Sequence, residues 1–334
     1  MDDEIINEND STKKVFYYIN SIINNGQKYF ILSRDLTIDE SMLFFRGRCK
    51  MRFYMSHNLS KWGFKIHCLV NSKTDYLYDA IIDPGKNNKN FIITNPEYSY
   101  TESIVLKLLS KHENKGYRIF FDSWYSSISL INILTKKGFQ AISTLRLNAK
   151  NFPDKTSLEN SSKKYGYNNE YHTIIQQYPI KKKNIFFISN FYEPIEKIKE
   201  YYVKENRGVD KLNQNISCFN FERKIMKWWK KFFFWGLEVA INNVYIKSNL
   251  IDPLSKKSNE NFKRNLLEEL LKEVCIDENK LEKENCIPTK YINMLHNIKI
   301  VKGLHKEYVY CRKNGIRKIT NAKCNECDIS MCPE

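Results

Sequence analysis

The chain has 334 residues, 42% apolar and 14% aromatic, enough to bury a substantial core and unlike the composition of a disordered segment. No run approaches about 18 uninterrupted apolar residues, which argues against a helical membrane span, and the acidic start Met1-Asp2-Asp3-Glu4 lacks the apolar core of a secretory signal. The 54 basic residues outnumber the 38 acidic ones for a net charge of +16, a balance that favours a polyanionic partner such as nucleic acid, although a Lys-, Asn-, Ile- and Tyr-rich composition of the kind AT-rich coding produces would raise the same number.

In chain order, residues 1–11 are polar, and Val15, Ile19, Ile22 and Ile23 then share one helical face that Asn25-Gly26 should close. Leu36–Met42 reads as a short apolar strand around Asp39. Phe64–Val70 and Tyr76–Ile82 read as two more strands, joined by the turn residues Asn71-Ser72-Lys73-Thr74. Ile104, Val105, Leu108 and Leu109 repeat with helical spacing. Arg118–Phe121 is a strand ending at Asp122, a helix follows around Leu130, Ile131 and Leu134, and Ala141–Leu145 is the next strand. Three strands, a helix, a strand, a helix and a strand make an α/β pattern with a mixed sheet. Residues 149–186 are polar and look inserted, and Ile185–Ser189 adds a strand. Arg207–Ser248 reads as helices with a dense aromatic run from Trp228 to Trp235, and Phe262, Leu266, Leu270 and Val274 form a stripe expected to pack.

Three carboxylates stand out because of where they fall. Asp39 interrupts an apolar strand, Asp122 ends another directly before a helix, and Asp210 opens a helix after Arg207-Gly208-Val209. Carboxylates beside apolar strands are costly without a cation, hydrogen bonds or a metal. Three that converge would need divalent ions, and hard oxygen ligands favour Mg²⁺ or Mn²⁺. A pair of such ions activates an attacking oxygen and stabilises a leaving one. Each residue alone also suits a simpler part: Asp39 in a turn, Asp122 capping a helix over 123–137, and Asp210 capping the next one.

The order of motifs is more specific. Thr37-Ile38-Asp39-Glu40-Ser41-Met42 with Phe45-Arg46-Gly47-Arg48, then Lys61-Trp62-Gly63-Phe64-Lys65, Asp122-Ser123-Trp124-Tyr125-Ser126-Ser127, Thr144-Leu145-Arg146-Leu147-Asn148, Gly208-Val209-Asp210 with Gln214, and Arg223 with Lys227-Trp228-Trp229 leading to Asn242-Asn243 together resemble the piggyBac-type transposases and the transposable element-derived proteins related to them. The resemblance implies an RNase H-like fold: a mixed sheet flanked by helices, with an insertion before the third catalytic aspartate and a small Cys-rich C-terminal tail. It assigns residues 1–32 to a remnant of an N-terminal helical DNA-binding and dimerisation region. Residues 33–250 would be the catalytic domain with 149–200 insertion-like, 251–300 a helix and linker, and 301–334 a degenerate or truncated zinc module.

The implied activity is cut-and-paste transposition at TTAA-flanked ends by a nuclear protein, a homodimer when complete, acting on double-stranded DNA. Asp39, Asp122 and Asp210 would hold two Mg²⁺ or Mn²⁺ ions, with Asn213 beside them where the family commonly has a further aspartate. Arg46, Arg48, Lys61, Lys65 and Arg146 are the candidate phosphate contacts, and Trp228 and Trp229 are candidates for stacking on unpaired bases. Cys324-x₂-Cys327, with Cys311 and Cys332, could close one zinc site, with His305 a further candidate ligand. The other five cysteines, Cys49, Cys68, Cys218, Cys275 and Cys286, read as small buried side chains. Asn314 stands where Cys311 should have a partner, and only 38 residues precede Asp39. Those departures keep a second expectation open, a catalytically inactive, domesticated or decaying DNA-binding relative. An unrelated RNase H-like nuclease would leave the Trp228 helix and the terminal cysteines unexplained.

Overall fold

The computed structural model describes residues 12–55, 61–85, 92–93, 95–152, 165–166, 173–180, 183–191, 195–217 and 225–276, with short strands between 298 and 331. The chain divides into two compact units, Met1–Lys263 and Arg264–Glu334.

Helix α1 (Lys13–Lys28) leads into β1 (Asp35–Phe44), β2 (Phe53–Tyr54), β3 (Trp62–Asn71) and β4 (Tyr76–Ile82), of which β1, β2 and β4 all pair with β3. There follow α2 (Tyr100–Leu109), β5 (Arg118–Phe121), α3 (Ile128–Lys136), β6 (Gln140–Leu145), β7 (Tyr165–Gly166), β8 (Ile174–Ile180) and β9 (Lys183–Ser189). Four helices come next: α4 (Ile195–Glu205), α5 (Gly208–Ser217), α6 (Trp228–Ile251) and α7 (Asn259–Ile276). In the second unit β10 (Ile298–Ile300), β13 (Ala322–Cys324) and β14 (Ser330–Met331) form one small sheet, and β11 (Lys306–Glu307) pairs with β12 (Ile319–Thr320).

The large sheet runs β2-β3-β1-β5-β6-β9-β8-β7, with β4 pairing β3. β3 is antiparallel to β1 and to β4, whereas β1, β5 and β6 are mutually parallel. The period-2 alternation of side chains divides the core between the two faces of the sheet. Leu36 and Ile38 join Leu69, Phe121 and the apolar sides of α2 and α3. Phe64, Ile66, Cys68 and Val70 point the other way, into a cluster with Val15, Ile19 and Ile23 of α1, Val209 and Leu212 of α5, and Phe232, Trp235 and Val239 of α6. α1 and α6 approach closely because position 236 is glycine: a Cβ there would lie 2.7 Å from the Tyr18 ring and 2.8 Å from Ile22 Cδ1. Asn243 of α6 fastens that layer to β4, since its amide accepts from Leu77 N–H at 3.1 Å and donates to Leu77 C=O at 2.8 Å.

Some local expectations are corrected. α1 does not stop at Asn25-Gly26 but continues to Lys28, with the Tyr76 hydroxyl donating to Gly26 O at 2.9 Å. Asp122 does not cap α3, which begins at Ile128 with Ser127 as its cap. Along the Phe262–Val274 stripe, expected to pack, Leu270 is 50% exposed and Lys263 is the one buried residue of α7 among those whose burial is described. No helix among the described residues is long and apolar enough to cross a membrane.

Candidate active site

The odd-numbered residues of β1 face the end of α4 and the start of α5. Thr37 Oγ1 donates to Glu205 O at 2.5 Å, and Ser41 Oγ donates to Asn213 Oδ1 at 2.6 Å. Between these two anchors lies Asp39. Gly208 allows the first turn of α5 to settle on the strand, since a Cβ there would meet Thr37 Oγ1 at 3.1 Å and Val70 Cγ1 at 3.2 Å. Asp210 is in that first turn and exposed, with its charge felt at Asp39.

Asp122 arrives from the other side. The parallel register of β1 and β5 ends at Ile38 with Phe121, so Asp122 follows one step beyond, beside Asp39. Its Oδ1 accepts Trp124 N–H at 2.8 Å, the side-chain turn that aspartate favours. The far end of that turn is held where Ser127 Oγ caps Leu130 N–H and donates to Glu102 Oε1 at 2.5 Å. Glu102 belongs to the capping box of α2.

Burial pushes the Asp39 carboxyl up to about 7; its bond from Glu40 N–H opposes that shift, and the charges of Asp122, Glu40 and Asp210 add to it. Asp122 is also raised, first by burial and then by Glu40, while the Trp124 and Tyr125 amides and the Arg146 charge draw it back. Tyr202 of α4 faces the same carboxylates: burial leads, and Asp122 and Asp39 contribute to raising its hydroxyl to about 12, against a hydrogen bond with Thr144. Among the described residues no lysine or arginine forms an ion pair with Asp39, Asp122 or Asp210. The three acids share a face without closing into a preformed cage, for no three His, Cys, Asp or Glu side chains among the described residues stand ready to hold a metal. They are the oxygen donors through which this face could take a cation.

Behind the acids lies a buried network that periodicity alone does not reveal. Glu40 points to the opposite face from Asp39 and pairs with Lys65 at 3.2 Å. The Lys65 ammonium also sits 4.7 Å above the Trp124 ring. Trp124 stacks on His67 with 8° between their planes. His67 is wholly buried and bonds Tyr125 Oη at 2.8 Å through Nδ1 and Asp83 Oδ2 at 3.3 Å through Nε2. Asp83 in turn accepts Gly85 N–H at 2.9 Å, and the His67 bond helps to hold its carboxyl below the usual range against burial. The short segment after Asp122 is thus locked from beneath by residues of β3 and by Asp83, which follows β4.

The remaining candidates separate in space. Arg146 is exposed, donates from Nε to Ser123 Oγ at 3.2 Å and acts on the Asp122 charge. Lys65 is engaged by Glu40. Arg46, Arg48 and Lys61 are exposed at the opposite end of β1 and β3 from Asp35 and Asn71. Trp228 is half-buried and meets Phe64 and Phe232 edge-on, while Trp229 remains 38% exposed beside Lys230. Asn213 uses its carbonyl on Ser41, which makes it a fastener between α5 and β1. Cys324 lies on β13; Cys311, Cys327, Cys332 and His305 lie outside the described residues.

A family model described as Transposase IS4 matches residues 1–245. PiggyBac transposable element-derived protein 2 of Homo sapiens is 24% identical over an alignment of 251 residues that covers 66% of this chain, and the chain spans only 41% of that relative's length. The cryo-EM structure of a piggyBac transposase synaptic complex with hairpin DNA is similar with a TM-score of 0.73 and 24% identity, over 97% of this chain and 72% of that one.

Proposed function

The chain belongs to the transposase family described as Transposase IS4, and on that premise we propose that it is a piggyBac-like catalytic domain that cleaves phosphodiesters at TTAA-flanked ends and transfers the freed strand, with Asp39, Asp122 and Asp210 as its catalytic carboxylates. The observation that carries this reading is the parallel register that sets Asp122 beside Asp39, with the Asp210 charge also felt there: burial first and then these acidic neighbours raise Asp39 to about 7, and no basic side chain among those described pairs with it. The strand order β4-β3-β1-β5-β6, with only β3 antiparallel to β1 in that run's centre, supports an RNase H-like core.

The donor chemistry suits a divalent cation, because hard carboxylate oxygens favour Mg²⁺ or Mn²⁺ and a cation would offset the burial and, secondarily, the acidic charges that raise Asp39. Bound there, two such ions would supply an activated oxygen nucleophile and charge neutralisation at the leaving oxygen. The protein's own part is positional. Asp39 is held by the strand, Asp122 by its turn onto Trp124 N–H, and Asp210 by the seat of Gly208 on Thr37. Arg146, exposed and near Asp122, is the side chain best placed to hold a phosphate at the site. DNA is the partner on this reading, and nuclear location and a homodimer of complete chains go with it.

The test is nicking of a TTAA-flanked duplex in Mg²⁺ or Mn²⁺. We expect Asp122→Asn to lower the rate by a factor on the order of 10³ or more with an unchanged urea midpoint. Full metal-dependent nicking by that variant would sink the assignment, and DNA binding with no nicking by the wild-type chain would favour the inactive DNA-binding relative.

A further inference from the structure

We propose that Arg52, Tyr54 and Trp62 form a stacking platform for an unpaired DNA base, a binding site that deepens the DNA-acting reading and rests on it. Tyr54 lies directly opposite Trp62 in the β2–β3 pairing, so the two side chains share one face. Arg52 is two residues before Tyr54 and returns to that face. The Tyr54 and Trp62 rings stand 4.7 Å apart at a 56° tilt, and the Arg52 guanidinium covers the indole at 4.0 Å. Arg52 is held in place by two main-chain oxygens, since its Nη1 donates to Arg46 O and Gly47 O at 2.9 Å each. No carboxylate among the described residues neutralises it.

Both rings are open to solvent, Tyr54 53% and Trp62 37% exposed. Beside them Arg48, Cys49, Lys50 and Arg52 line a depression of about 420 Å³. A cationic plane and aromatic faces next to two further positive charges suit a nucleotide: the rings take the π-face of a base, and Arg48 and Lys50 take its phosphates. An acidic peptide would use the charges and leave the rings unused. Trp62 is six residues along β3 from Cys68, the partner of Asp39, which puts the platform roughly 20 Å from the acids at the rise of a strand. That is about six base-pair rises of duplex, so the base it holds is an anchor some distance from the bond being cut.

The experiment measures binding of the full chain in EDTA to a blunt duplex and to the same duplex with an unpaired six-nucleotide tail, across a salt series. The tailed DNA should bind more tightly, and Trp62→Ala should lose about 5- to 100-fold of affinity for it alone, with the salt slope unchanged. Tyr54→Ala should act in the same direction, while Trp62→Phe should retain most of the preference. Arg48→Ala should instead make the slope shallower on both DNAs. A Trp62→Ala chain that keeps the wild-type preference, or loses both DNAs equally, overturns the platform, as does a wild-type chain with no preference. Metal-dependent nicking by such a chain would leave the nuclease reading standing; a tail preference without nicking would do the reverse.

Discussion

Asp39 and Asp79 are both raised by burial, but their surroundings differ in sign. Asp39 has other acids around it, whereas Lys111 and Lys107 partly offset the burial of Asp79, whose carboxyl is still pushed up to about 6. A carboxyl raised above its unfolded value contributes stability that is complete below pH ~4 and lost as pH rises through about 6. Asp79→Asn should therefore raise the urea-unfolding free energy at pH 7.5 by on the order of 2 kcal/mol and by little near pH 4; an equal effect at both would refute the burial account. Tyr125 offers a different test, since its hydroxyl is bonded to a wholly buried imidazole. Tyr125→Phe should cost about 1–3 kcal/mol, because His67 Nδ1 loses its partner, and should slow nicking by loosening the turn that presents Asp122. Loss of stability with an unaltered single-turnover rate would show that the network serves folding alone.

α5 is placed by a close approach as much as by its apolar residues. Gly208→Val would drive methyl groups into Thr37 and Val70, so an overpacking cost of about 1–3 kcal/mol and a larger fall in nicking are expected; a full nicking rate would mean Asp210 is not needed where α5 now holds it. Neither that approach nor the Ser41–Asn213 bond was legible in the sequence, because both join residues more than about 130 positions apart. What local pattern encodes was legible. The bounds of β4 and β5 match their apolar runs, and the end of β5 at Asp122 follows from that run. The simpler reading of Asp122 as the cap of α3 fails because Asp122 and Ser127 are both good capping residues and Ser127, tied to Glu102 of another helix, holds the cap. The Lys65–Glu40 pair was hidden for a related reason: Lys65 looks like a surface base until the strands are aligned, which brings it diagonal to Glu40.

A net charge of +16 acts over the whole molecule, and its expected signature is a DNA affinity that falls linearly with salt on logarithmic axes. Replacing Arg46, Arg48 and Lys61 together by alanine should flatten that slope by about 2–3 if all three meet phosphates of a duplex; an unchanged slope would remove that end of the sheet from the DNA path. The fold's own cohesion relies on polar fasteners between layers as well as on its apolar clusters. Glu238 and Lys263 form a buried pair at 2.6 Å between α6 and the start of α7. The amide of Asn243 occupies both main-chain groups of Leu77 on a strand whose one described neighbour is β3. A strand with an open margin can recruit a stray segment from another molecule and begin aggregation. By imitating a neighbouring backbone at that point, one side chain closes part of the margin to intruders, and the helix above shields it without another strand being added.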